Sequence, residues 1–254
     1  MPLPDRYPVR NVLLRALPPD DLGRLRPHLD PVPLPRGEAV IRPGEPFEHA
    51  WFPEGGLGSI VSEADGEQRL EVGMFGREGM SPAALVLGSD RTPLRTEVQV
   101  EGTWLRVEAD VLRRATERSP ASHGVLVRYA QVFLLTVSQT ALANGLYKTE
   151  ERLARWLLMV HDRLGGDELP LTHEFLSVML GVHRPGVTVA LHVLEGAGMI
   201  RAKRGLIAVR DRAKLRAAAG ASYGPAEAEY ERLIGPFGRP DTGPAAGDAP
   251  SGGA

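Results

Sequence analysis

The sequence predicts an α+β chain in three parts, on three observations. Between Val32 and about Val107, short apolar runs alternate with Gly/Pro punctuation, the texture of a β-barrel or sandwich. Between Ser119 and Leu146 the apolar residues keep one helical period. Between Leu171 and Ile200 two short helical patterns flank a glycine, and a basic hairpin pattern follows.

Residues 11–29, NVLLRALPPDDLGRLRPHL, read as two short helices with Pro18-Pro19-Asp20 between them. The strand candidates are EAVIR, HAWFP, LGSIVSEA, RLEVGMF, TEVQVEG and TWLRVEA. RGE, RPGEP, PEGG, ADGEQ and EGT break them, and Asp65-Gly66 suits a tight hairpin turn. MSPAALVLG, 80–88, reads as a short helix among the strands.

In the long helix, Val125, Tyr129, Val132, Leu135, Gln139, Leu142 and Leu146 form a heptad-like seam suited to a second copy of the chain. A helix packed on its own domain shows the same spacing. Thr149 to Leu164 is a further helix, with Thr149 as its expected cap and Glu150 and Glu151 in its first turn. Residues 211–218 and 225–234 carry helical patterns, and 235–254 has the composition of a disordered tail.

Pro185, inside LGVHRPGVT, first looks misplaced, because an interior proline costs a helix about 3 kcal/mol. If His183 is a helix cap, Pro185 falls in the first turn, where N–H groups have no intrahelical partner. Arg184 then stands beside a helix N-terminus, where phosphate is attracted. Gly181 suits the turn before it, and Val187, Leu191 and Leu194 make a buried stripe.

Composition narrows the chemistry. The chain has 254 residues, enough for a core of normal size, and no cysteine. Disulfides, thiolate nucleophiles, Cys-ligated zinc and iron–sulfur clusters are therefore excluded. Seven histidines leave haem ligation open, though none forms a close metal-spaced cluster. No unbroken apolar run nears the roughly 20 residues of a membrane span, and MPLPDRYPVR lacks a signal-peptide core. The expectation is a cytoplasmic protein with no membrane partner. Walker A, GxSxG, HExxH and GxGxxG patterns are absent, which argues against an enzyme. The net charge of −2 is split: residues 171–216 carry +5 and the remainder −7. A basic block on an acidic chain points to a local polyanion, and equally to a solvated basic face.

The 171–210 stretch resembles the winged helix of the cAMP receptor protein/Fnr superfamily of bacterial transcription regulators. The likeness lies in Thr172, the apolar first helix, Leu180-Gly181-Val182, Arg184, Val187, LEGAGMI and RGLIAV. LPRGEAVIRPGEPFEHAWFPEGGLGSIV is similar to the opening of that family's cyclic-nucleotide-binding-like β-roll, a jelly roll. The resemblance implies a sensory β-roll over 11–118, a dimerisation helix over 119–146 and a winged helix-turn-helix over 147–216. It implies double-stranded DNA, a second copy and RNA polymerase as partners.

By the same resemblance Arg184 reads a guanine edge. The glutamate that commonly follows is Pro185 here, and a second reading arginine is Val189. Thr188, Val189 and His192 are the expected substitutes, on a different operator. Thr172, His183, Lys203 and Arg204 are expected on phosphates. Cyclic-nucleotide sensors of the family carry a Glu and an Arg-Ser/Thr pair in the β-roll, with hydroxyls on the long helix. Glu78, Arg95, Thr96 and Ser138 are the corresponding types, but Arg95 follows Glu78 by 17 positions instead of about ten. The effector is therefore left open, with a cyclic nucleotide as one candidate. The alternative reading is an effector-binding or scaffold module whose winged helix binds protein.

Overall fold

The computed structural model describes residues 7–64 and 68–238. Two short helices open the chain, α1 (Val12–Arg15) and α2 (Pro19–Leu25). Asn11 caps α1 by accepting the Leu14 N–H at 2.9 Å, and Pro19 begins α2 where a missing N–H costs nothing.

Seven strands follow: β1 (Asp30–Leu34), β2 (Ala39–Ile41), β3 (His49–Pro53), β4 (Leu57–Ala64), β5 (Gln68–Phe75), β6 (Arg95–Val100) and β7 (Gly102–Glu108). They form two antiparallel sheets, ordered β1-β7-β3 and β2-β6-β4-β5. Strands β4 and β5 pair up to Ala64 opposite Gln68, while Asp65-Gly66 between them lies outside the described residues. Strand β1 is absent from the sequence expectation, because Pro31 and Pro33 read as punctuation. It is an edge strand paired with β7 alone, where proline is tolerated. MSPAALVLG contains a 3₁₀ turn, Ala83–Leu87.

Phe52, Phe75, Trp104 and Leu105 are fully buried at the centre of this domain. The Phe75 and Trp104 rings meet edge to face, 5.4 Å between centroids. Gly58 makes that contact possible: a Cβ there would lie 2.5 Å from the Phe75 ring and 2.8 Å from Trp104.

Helix α3 (Ala109–Arg118) is absent from the sequence expectation; half its residues are charged, and Ala109 and Leu112 are its buried ones. Helix α4 (Pro120–Leu146) begins at Ser119, whose side chain accepts the Ser122 N–H at 3.2 Å. Its expected seam is divided. Val125, Tyr129 and Val132 face the chain's own β domain. The outward stripe runs instead through Gln131, Leu134, Ser138 and Leu142, with Leu134 59% and Leu142 41% exposed. Spacing alone does not separate two apolar faces on one helix. One 18-residue window of α4 is also apolar enough on average to cross a membrane by length and composition, although no unbroken apolar run is that long. The reason is that His123, Arg128 and Gln131 interrupt an otherwise apolar sequence. The inner face is buried on the β domain, and 33% of that window is buried within the chain.

Helix α5 (Thr149–Arg163) is capped at Lys148, not Thr149, and the Glu151 carboxylate accepts the Lys148 N–H at 2.8 Å. Then come β8 (Glu168–Leu169), α6 (His173–Leu180), α7 (Arg184–Gly196), β9 (Ile200–Lys203), β10 (Leu206–Val209), α8 (Arg212–Ala219) and α9 (Pro225–Leu233). The third sheet is ordered β8-β10-β9; β8, two residues long, is too short to leave a periodic signal. After α9 the chain returns to the β domain, with Tyr230 and Phe237 rings 5.0 Å apart and the Tyr230 hydroxyl donating to the Glu78 carbonyl at 2.7 Å. The tail expected to be disordered from 235 is therefore packed as far as Phe237, because that aromatic finds a ring to cover. Residues 239–254 lie outside the described set.

Gly58→Ala tests the central packing. The extra methyl has no room, so stability should fall by about 1–3 kcal/mol, measured as a lowered urea midpoint at unchanged m-value.

Candidate nucleic-acid interface

Thr172 caps α6: its hydroxyl oxygen accepts the Phe175 N–H at 3.2 Å and keeps its own proton to donate outward. Leu176, Met179 and Leu180 turn inward. Gly181 ends the helix with φ 60°, and a Cβ there would meet Leu70 at 2.9 Å. His183 is the cap residue of α7, and Pro185 lies in its first turn. The Gly186 and Val187 N–H groups both reach the His183 carbonyl, at 2.8 and 3.3 Å, closing the turn around the proline.

Val187, Ala190, Leu191 and Leu194 hold α7 to the core. His183, Arg184, Pro185, Val189 and His192 are exposed together on the other side. Val193 joins them at 48% exposure, one turn beyond Val189 at 63%. Sequence reasoning missed Val193, although its four-residue step from Val189 marks the same face. Arg184 Nη2 lies 2.7 Å from Glu174 Oε1, both side chains well exposed. Such a pair contributes about 0–1 kcal/mol, so a better acceptor can replace it readily. Thr188 is engaged at the seam with α6: its hydroxyl donates to the Arg184 carbonyl at 3.2 Å and lies 3.3 Å from His173 Nδ1.

Strands β9 and β10 make a hairpin whose turn is Arg204-Gly205, with Gly205 at φ 76°. Lys203 and Arg204 are exposed at its tip. Not all of the basic block serves that surface. Arg212 is nearly buried and donates Nη2 to Asp162 at 2.7 Å and to the Tyr223 hydroxyl at 2.9 Å, fastening α8 to α5.

The four sensory candidates do not converge. Glu78 is buried and accepts from Arg163 Nε at 2.8 Å, a partner 85 residues away that no local spacing reveals. Arg95 pairs with Glu63 at 2.6 Å, whereas buried Thr96 shares a 2.9 Å hydrogen bond with Ser81. Arg95 is drawn outward to Glu63 while Thr96 is held inward by Ser81, so the two side chains face different partners. Exposed Ser138 donates to the Leu134 carbonyl at 2.9 Å. Thr96 lines a cleft of about 330 Å³ between the sheets and α4, with Ile60, Pro82, Leu94, Phe133 and Leu134. Among the described residues, no charged side chain lines it, so a cyclic phosphate would find no counter-charge from them there.

Two buried polar contacts join the β domain to α5. One is Glu78–Arg163; two further bonds come to the Glu78 carboxylate from the Gly76 N–H, at 3.0 and 3.2 Å. Burial alone would lower the Arg163 pKa, but Glu78, Asp162 and Glu227 outweigh it and raise it. The other contact is Glu71 on β5, which accepts the Trp156 indole N–H at 2.7 Å and the Ser59 hydroxyl. Complete burial pushes the Glu71 carboxyl up to about 7 against those bonds and the pull of Arg163 and Arg155.

The family of Crp-like helix-turn-helix domains matches residues 151–218. No curated protein matches the chain in sequence. Several solved structures share its fold. FixK2 from Bradyrhizobium japonicum is 18% identical over 76% of this chain and 98% of its own, with a TM-score of 0.64. TTHB099, a CRP-family transcriptional regulator from Thermus thermophilus, is 18% identical over 75% of this chain and 97% of its own, at 0.63. The c-di-GMP responsive global regulator CLP of Xanthomonas campestris is 19% identical over 75% and 98%, at 0.58.

The buried carboxyl makes the joint pH-dependent. With its folded pKa near 7, Glu71 holds a proton that the unfolded chain, near 4.5, has already lost. Its stabilising contribution is thus full below about pH 4.5 and is lost as pH rises through 7. Glu71→Gln keeps an acceptor for Trp156 but cannot ionise. Urea titrations should show the variant gaining on the wild type between about pH 5 and 8; parallel curves for the two would remove Glu71 as the cause.

Proposed function

We propose that the chain is a DNA-binding transcription regulator of the Crp/Fnr type, and that it works as a homodimer reading a near-palindromic operator in the cytoplasm. The observation that carries this reading is the exposed face of α7 beside the basic tip of the β9–β10 hairpin. Leu134, Leu142 and Leu146 are exposed on the outward face of α4, and a two-fold axis along it would cover them with its own copy. The two α7 helices would then enter successive major grooves about 34 Å apart. Residues 11–118 are the sensory unit in this reading, 119–146 the dimer helix and 147–216 the DNA-binding unit.

Arg184 leaves Glu174 for the two acceptors on a guanine edge. Val189 and Val193 meet thymine methyls, and His192 reads beside them. Thr172, His183, Lys203 and Arg204 hold phosphates, while Pro185 and Thr188 set the start of α7 and its seam with α6. RNA polymerase is the further partner that such a regulator implies. The uncharged cleft beside α4 favours an apolar effector over a cyclic nucleotide.

Selection of bound sequences from random duplex DNA, with no ligand added, tests the reading. It should return two half-sites centred one helical turn apart. Arg184→Ala should then cost about 1–3 kcal/mol and relax one base position; equal loss on every operator variant would end its base-reading role. Leu134→Asp with Leu142→Asp should give monomers in sedimentation, with operator affinity lost alongside. A dimer that survives both changes would move the interface off α4.

A further inference from the structure

A second cleft, of about 380 Å³, opens where the N-terminal segment, the loop after β5, the end of α5 and the last described residues meet. Arg10, Arg15, Arg77 and Arg163 all line it. Among the described residues, the guanidinium groups of Arg10, Arg15 and Arg77 make no ion pair or hydrogen bond, although Arg77 is only half-exposed. Arg163 forms the floor. It gives Nε to Glu78 and Nη1 to the Met159 carbonyl at 2.8 Å, while Nη2 makes no such bond among the described residues. Phe237 fixes the plane of this group, with the guanidinium carbon 5.1 Å from the ring centre.

Three acids share the lining, Glu78, Asp162 and Glu231. Glu78 is taken up by Arg163 and the Gly76 N–H. Asp162 accepts from Arg212 at 2.7 Å and from the Tyr223 hydroxyl at 2.6 Å. That leaves exposed Glu231 against Arg10, Arg15, Arg77 and the free edge of Arg163. Like charges gathered around one cleft repel, and a small anion relieves that repulsion. Guanidinium forks are the groups best matched to phosphate and carboxylate oxygens.

We propose that this cleft binds a compact anion of two or more negative charges, a phosphate-bearing metabolite or a polycarboxylate. The volume suits a molecule up to about mononucleotide size. The site is separate from the uncharged cleft beside α4. An anion there ties Arg77, in the β domain, to Arg163, on the first helix of the DNA-binding unit. It therefore favours one orientation of that unit over others, and this consequence rests on the regulator reading above.

Calorimetric titration of the full chain with pyrophosphate, and separately with citrate, tests the site without DNA. At least one should bind at millimolar concentration or below, more weakly as salt rises. Arg15→Gln with Arg77→Gln should weaken binding at least tenfold, and Glu231→Gln should tighten it. Arg114→Gln with Arg118→Gln removes the same charge elsewhere and should leave binding unchanged. Which of the two anions binds more tightly identifies the oxygen chemistry. No heat from either anion overturns the site, as does equal weakening by the Arg114/Arg118 pair, which would mean general attraction to the surface. Failure of operator selection with intact anion binding would instead remove only the regulatory consequence.

Discussion

The arrangement of the molecule hangs on one buried ion pair, Glu78 with Arg163. Both side chains are almost wholly out of water and 2.8 Å apart. Bringing two charges into a low-dielectric interior has a large desolvation cost, recovered only with close geometry and further hydrogen bonds. Both conditions are met here by the Gly76 N–H, the Met159 carbonyl and the Phe237 ring. Such a pair adds little net stability over apolar residues of the same shape. Losing one member is different, since it strands the other charge at a cost of about 3–5 kcal/mol. The pair therefore specifies where the end of α5 rests on the β domain, more than it strengthens the contact. Around it, the Tyr129 and Tyr230 hydroxyls take the Met80 and Glu78 carbonyls, so α4 and α9 are located from the same loop.

Local patterns were legible in the sequence, and long-range partners were not. Apolar alternation gave six of the seven β-domain strands, and the proline in LGVHRPGVT placed the start of α7 correctly. These features follow from neighbours within a few residues. Strand β1 was hidden because the rule that proline breaks strands fails at an edge. The outward face of α4 was illegible because both of its faces are apolar, and only the position of the β domain decides between them. Glu78 and Arg95 looked like one site by residue type. In the fold they turn to different partners, Arg163 and Glu63, and strand alternation separates Arg95 from Thr96.

The basic block shows the same division. Composition treats its eight cations alike. Arg212 is consumed in holding α8 to Asp162, while Lys203 and Arg204 stand free of the core at a hairpin tip. Burial, which depends on the whole chain, decides which charges belong to the scaffold and which to a partner. The buried Glu71 is a further instance, since its position between Ser59 and Trp156 needs two segments 85 residues apart.

In the regulator reading proposed above, the clasp between Arg184 and Glu174 has a kinetic consequence. While it is closed, a passing phosphate meets a neutral pair at the tip of α7 instead of a free cation. Non-specific attraction then falls mainly to the hairpin tip, and fewer released counterions mean a looser hold on arbitrary duplex. Guanine, with two acceptors on one edge, competes with the carboxylate better than a lone phosphate oxygen does. In that reading the protein would travel along DNA with Arg184 sheathed, and draw it only where the sequence repays the exchange.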